Sequence, residues 1–380
     1  MGPLLSRRDF LKTVSLSLSI LAVTGLGPLP LRRALADNAS TPRELWLLCD
    51  EAPVKIGAAA ANAGSVKAFD VLAQETTQID VPFFGHTTTQ NPARPYQVAT
   101  FEKWKRHGAL VDLKEKTILA LTEAADGNTF FGHAAYLADG AALVTSEDNY
   151  ERTAGQLVLR DPSNLKVIQK MSSYGLMPHD CRAMDKGRTI MAANQGKGDH
   201  WPNISWIEAA SGKLLHQVAI DLESNTVFAH LDVSPDGWLC VTGSHSPKLQ
   251  PQTRIAFISP EGRVLPAKIP DEVLQKMKGE GLSVGFLGAS GWAAVTIPLS
   301  NMVVLFDYKT QELAATLNLA NPHGLLADLS ALPDRASMIV SSGQDRDLMK
   351  ISYASDKAPM VAVANAGFGG TGSHLVRLYV

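Results

Sequence analysis

Seven copies of one strand–turn–strand pattern run along the chain: Val66–Val81, Ala109–Ala124, Gln156–Met171, Ile204–Ile220, Arg254–Ile269, Met302–Leu319 and Leu348–Val363. The residues that open the seven turns are Asp70, Asp112, Asp161, Glu208, Ser259, Asp307 and Ser352. The steps between them are 42, 49, 47, 51, 48 and 45 residues. A strand-built repeat of about 40–50 residues is the length of one propeller blade. One such unit cannot bury its apolar face alone, whereas radially stacked neighbours can. The sequence therefore predicts an all-β protein, a seven-bladed β-propeller of four-stranded antiparallel blades.

A second element recurs between these hairpins. His133 lies six residues before Asp139-Gly140, His179 six before Asp185-Lys-Gly187, and His230 six before Asp236-Gly237. Each turn is followed by an apolar run. Asp-Gly and Asp-x-Gly supply the positive φ that a tight hairpin requires, so this element reads as the inner hairpin of a blade. Gly85-His86 opens the corresponding stretch of the second blade, ahead of a degenerate turn at Asn91-Pro92. The copy near Ser283–Gly291 has no histidine, and in the next one His323 lies upstream of Asp328 and Asp334. The first copy, around Leu45–Asp50, is the least regular.

The two ends of the chain carry different messages. Ser6-Arg7-Arg8-Asp9-Phe10-Leu11-Lys12, the apolar run Val14–Leu26 and Ala34-Leu35-Ala36 together form a twin-arginine export signal with a small-residue cleavage site. That apolar run is too short for a bilayer core of roughly 30 Å, so no stable membrane span is expected. Residues 1–36 are expected to be removed, leaving 37–380 as a single propeller domain in the periplasm. At the other end, His374–Val380 is a natural partner for strands near Leu45. Pairing the two ends within one blade would close the ring and leave no open sheet edge.

Several function classes are disfavoured. A formal net charge of −2 without a basic run argues against nucleic acid. Nucleophile elbow, zinc-protease and haem-attachment motifs are absent. The cysteines, Cys49, Cys181 and Cys240, are widely spaced, which favours three buried thiols over one disulfide and a leftover.

Phe131-Gly132-His133, Asp139-Gly140 and the run Thr145-Ser-Glu147-Asp148-Asn149-Tyr150-Glu151 resemble the DUF1513 family of exported bacterial proteins. Pro178-His179, Ala193-Asn194-Gln195-Gly196 and the helical insertion at Asp271–Lys278 fit the same pattern, and the likeness covers nearly the whole mature chain. It departs at Thr100-Phe-Glu-Lys-Trp104, where the family tends to be Arg-rich. The resemblance implies a propeller of the YVTN and quinoprotein-like kind. It also implies a link to periplasmic iron-uptake proteins as partners, without naming a reaction.

Histidines at the starts of inner strands converge on one mouth of a propeller's channel. His86, His133, His179, His230 and His323 are therefore candidate metal ligands, since neutral imidazole binds iron, copper, zinc and nickel. The alternative is that each pins a neighbouring turn. Glu147, Asp148, Asn149, Tyr150 and Asn194 are candidate ligand contacts; the alternative is a solvated loop. The leading expectation is a non-catalytic periplasmic binding or scaffold protein, linked to iron or other metal uptake through this His-rich mouth. Iron and copper are the candidate ions. The rival is a metal-dependent or quinoprotein-like oxidoreductase, or a lactonase-type hydrolase.

Overall fold

The computed structural model describes residues 42–51, 63–137, 140–148, 155–196, 200–245, 251–328, 336–343, 347–354, 357–365, 368 and 374–380. The export signal lies outside them. Seven antiparallel sheets are arranged as the blades of a propeller. Each blade runs outward from an innermost strand at the channel. The innermost strands are Val376–Tyr379 (blade 1), Thr87–Gln90 (blade 2), Thr129–Tyr136 (blade 3), Pro178–Met184 (blade 4), Thr226–Val233 (blade 5), Val284–Phe286 (blade 6) and Pro322–Ala327 (blade 7).

The repeat has a local cause. Asp70, Asp112 and Asp307 each accept backbone N–H bonds from residues two and three positions on, closing the outer hairpin turn. Asp161 does the same with Ser163. Short polar side chains that bond their own backbone favour turns over continued strand. The apolar residues before each turn face the neighbouring blades. Phe257 and Phe306 meet across blades 5 and 6 at 5.8 Å, and Trp292 and Tyr353 across blades 6 and 7 at 5.3 Å.

Blade 1 closes the ring as expected. Its innermost strand is the C-terminal Val376–Tyr379, paired antiparallel with Glu44–Glu51 in the register Leu45↔Leu378 and Trp46↔Arg377. The N-terminal strand, the least regular in sequence, is eight residues long and almost wholly buried. The helical insertion is present as the single turn Asp271–Leu274. Among the described residues no helix is long and apolar enough to cross a membrane.

Blade 3 departs from the four-strand rule. A short strand, Lys103–Lys105, leaves blade 2 and pairs with the channel-side edge of Thr129–Tyr136, Lys103 opposite Phe131. The turn-back is possible because Trp104 adopts φ 59° and the buried Glu102 carboxylate accepts the backbone N–H of His107.

Cys49, Cys181 and Cys240 are free and buried. Burial pushes the Cys49 thiol up to about 12 and raises the other two as well. Thiolate is the reactive form. The native protein is therefore expected to show no reaction with a disulfide reagent at pH 8 and three thiols after denaturation. Rapid native labelling of any of them would contradict this packing.

Candidate metal centre

An innermost propeller strand presents an edge to the axis, so its side chains ordinarily point toward neighbouring blades rather than into the channel. A bulge re-aims them. Register breaks fall at His179 in blade 4, just before His230 in blade 5, and in blade 3 where Phe131–His133 face the single residue Ser146. The Ser146 hydroxyl fastens two of these irregular turns by donating to the carbonyls of His133 and His179. Gly132 has φ +92°, and a Cβ there would lie 2.5 Å from the His86 side chain. Only glycine lets these two blade starts approach so closely.

The result is a knot of five imidazoles. His86, His133, His179 and His230 each offer a ring nitrogen, all within 4.8 Å of one another. His374, just ahead of the closing strand, joins them. Its ring centroid lies 4.9 Å from that of His86 and 4.8 Å from those of His133 and His230. The closest pair is His179 and His230 at 4.5 Å. The Nε2 atoms of His86, His133, His179 and His374, and both ring nitrogens of His230, are buried without a hydrogen-bond partner.

The surroundings orient the rings from outside. His133 Nδ1 lies 3.2 Å from Asp180 Oδ1, His374 Nδ1 is 3.1 Å from the Ser283 hydroxyl, and His179 Nδ1 is 3.4 Å from Gln195 Nε2. An acceptor at Nδ1, as Asp180 offers His133 and the Ser283 hydroxyl can offer His374, commonly fixes the tautomer of a metal-ligating histidine and leaves the other nitrogen free to bind. The Gln195 amide instead donates to His179 Nδ1 and places that ring's proton on Nε2. Burial, then the charge of Lys103, holds His86 and His179 well below the usual histidine range. Burial and the neighbouring rings do the same to His230 and His374. These four are thus neutral donors. Burial alone would raise the Asp180 carboxyl. The Arg182 guanidinium and His133 outweigh it and hold Asp180 well below the carboxylate range.

The imidazoles border a cavity of about 410 Å³. His133, His230 and His374 line it together with Asp180, Arg182 and Asp232. The cluster is therefore buried across the channel rather than spread around an open mouth.

The other expected site residues fall elsewhere. His323 does not join the cluster; its Nε2 sits 3.2 Å from Asn321 Oδ1. It lies eleven residues before Asp334, not six, and falls in a register break of blade 7 between Pro322 and Leu325. Glu147 is wholly buried in an ion pair with Arg160 at 2.6 Å, and it also accepts the Ala125 N–H and the Thr145 hydroxyl. Asp148 accepts the Met177 N–H, and the Asn194 amide binds Ser173, Asn203 and Ser205. Asn149 and Tyr150 lie outside the described residues. His374 and Asp180 were missed. Asp180 directly follows His179, and that adjacency was the available signal. His374 has no turn after it to mark it.

The chain matches the family described as "Protein of unknown function (DUF1513)" over residues 79–368. It belongs to that family. No curated protein matches. Among solved structures it is similar to hydrazine synthase of Kuenenia stuttgartiensis, with a TM-score of 0.62 at 13% identity over 77% of this chain and 90% of that one. A chain of the mitotic checkpoint complex gives 0.53 at 11%, covering 73% and 75%. The Cps50 (Swd1) propeller domain of Myceliophteria thermophila gives 0.51 at 12%, covering 73% and 87%. At these identities the likeness concerns the fold alone.

Breaking a buried ion pair strands the partner charge and typically costs about 3–5 kcal/mol. Glu147→Ala is expected to destabilise the protein by about that amount in denaturant unfolding, because Arg160 is left buried. Metal bound per folded molecule should not change. A loss of less than 1 kcal/mol would show that the pair is not structural.

Proposed function

We propose that this DUF1513 protein is an exported periplasmic binding protein that holds a transition-metal ion at the imidazole cluster of its channel. The observation that carries the reading is the set of buried, unpartnered ring nitrogens aimed at one another. A buried polar atom left unpaired costs about 1–3 kcal/mol, and an ion meets each with one bond. Metal–imidazole bonds of about 2.1 Å allow opposed ligands to stand about 4.2 Å apart. The four nitrogens, within 4.8 Å, need close only slightly. All-imidazole donors suit copper, zinc, nickel and ferrous iron. His86, His133, His179, His230 and His374 would hold the ion, with Asp180 and Ser283 orienting two of the rings. A role in iron or other metal uptake, with periplasmic uptake proteins as partners, rests on the family resemblance.

The cavity beside the cluster favours one alternative. It is large enough for a small substrate, so a metal-dependent oxidoreductase or lactonase-type hydrolase is the second reading.

Protein loaded with copper, zinc, nickel or ferrous iron at micromolar levels, then freed of excess ion, is expected to retain stoichiometric metal. The His133→Ala/His179→Ala double variant should lose at least 90% of it while remaining folded. Equal metal in both proteins, or none in either, would overturn the binding reading. Turnover of a lactone or alcohol by the loaded protein alone would move the enzyme reading ahead.

A further inference from the structure

Lys103 is the unexplained neighbour of this site. Its strand is the extra one, bonded to the channel-side edge of blade 3 with Lys103 opposite Phe131, two residues before His133. The side chain is half-buried, and its Nζ lies 4.8 Å from the ring of the adjacent Trp104. No carboxylate stands within ion-pair distance of it among the described residues. Burial lowers the Lys103 amine from the usual lysine range, and Glu280, 3.7 Å from His230 Nε2, opposes this only through space. Its positive charge reaches His86, His179, His230 and His374. An ammonium beside neutral imidazoles opposes a cation in proportion to the charge of that cation, against the attraction of the Asp180 and Glu280 carboxylates that touch His133 and His230.

We propose that Lys103 is a specificity-determining residue: a tethered positive charge that biases the imidazole site toward a univalent soft ion, such as cuprous ion, over divalent ions. This rests on the metal-binding reading above. The physics is simple. Coulomb repulsion between a fixed charge and a bound ion grows in proportion to the charge of the ion. The repulsion therefore raises the dissociation constant of a divalent ion by the square of the factor it imposes on a univalent one. Imidazole preference alone would not do this, because the general order of affinities puts divalent copper first. The extra strand thus covers the channel edge and sets the valence of what lies beneath it.

The test compares the mature wild-type protein with Lys103→Met and Lys103→Arg by competition titration. Silver ion serves as the redox-silent univalent probe and zinc as the divalent one. Thermal unfolding checks that each variant is folded. Lys103→Met is expected to tighten zinc binding by the square of the factor by which it tightens silver binding, so that about a tenfold gain for silver goes with about a hundredfold gain for zinc. Lys103→Arg, which keeps the charge, should change neither by more than about threefold. Equal tightening of both ions would mean that Lys103 is only a steric plug, and would overturn the proposal while leaving metal binding intact. No change in either would overturn it in the same way. If neither ion binds any variant, or if binding survives in the His133→Ala/His179→Ala background, the metal-binding reading itself fails and takes this one with it. Should Lys103→Met fail to fold, Lys103→Gln carries the same charge change with a polar end.

Discussion

One short antiparallel pairing, Glu44–Leu47 against Val376–Tyr379, holds the ring shut. Without it, blade 1 would lack its innermost strand, and the inner edge of Glu44–Glu51 would stand open to other chains. The pairing also has a chemical consequence. It delivers His374 to the channel, where the ring meets three other imidazoles within 5 Å. Gly324 of blade 7 has no side chain, and a Cβ there would lie 2.2 Å from the Leu375 backbone nitrogen. Ring closure and completion of the cluster are thus the same event. A chain that fails to close cannot assemble all five donors.

The cluster contrasts with the polar groups around it. The Glu147–Arg160 pair shows how this fold normally buries charge. The guanidinium also reaches the Thr122 and Thr145 hydroxyls and the carbonyls of Glu123 and Leu165, so little is left unpaired. The Asn194 amide nitrogen is likewise bonded to its neighbours, although its Oδ1 is left bare. The imidazoles instead spend their outward nitrogens on Asp180, Ser283 and Gln195 and leave the inward ones bare. Satisfied polar networks fix a structure. These bare inward nitrogens are the basis of the metal site proposed above. Lys103 then makes the space selective by charge, and it does so from a strand that the blade architecture does not need.

Much of this was legible in the chain. Turn-opening aspartates at a steady spacing fixed the number of blades, because a side chain that bonds its own backbone acts over three residues and needs no distant partner. The six-residue offset between His133, His179 or His230 and its turn aspartate placed three histidines at one level for the same local reason. The tertiary structure decided the rest. His133, His179 and His230 lie at or beside bulges, and a bulge depends on pairing between strands that sequence spacing does not show. His323 falls in a register break too, yet it stays beside Asn321. His374 takes its place through ring closure, and Lys103 arrives on a strand from another blade; neither pairing shows in sequence spacing.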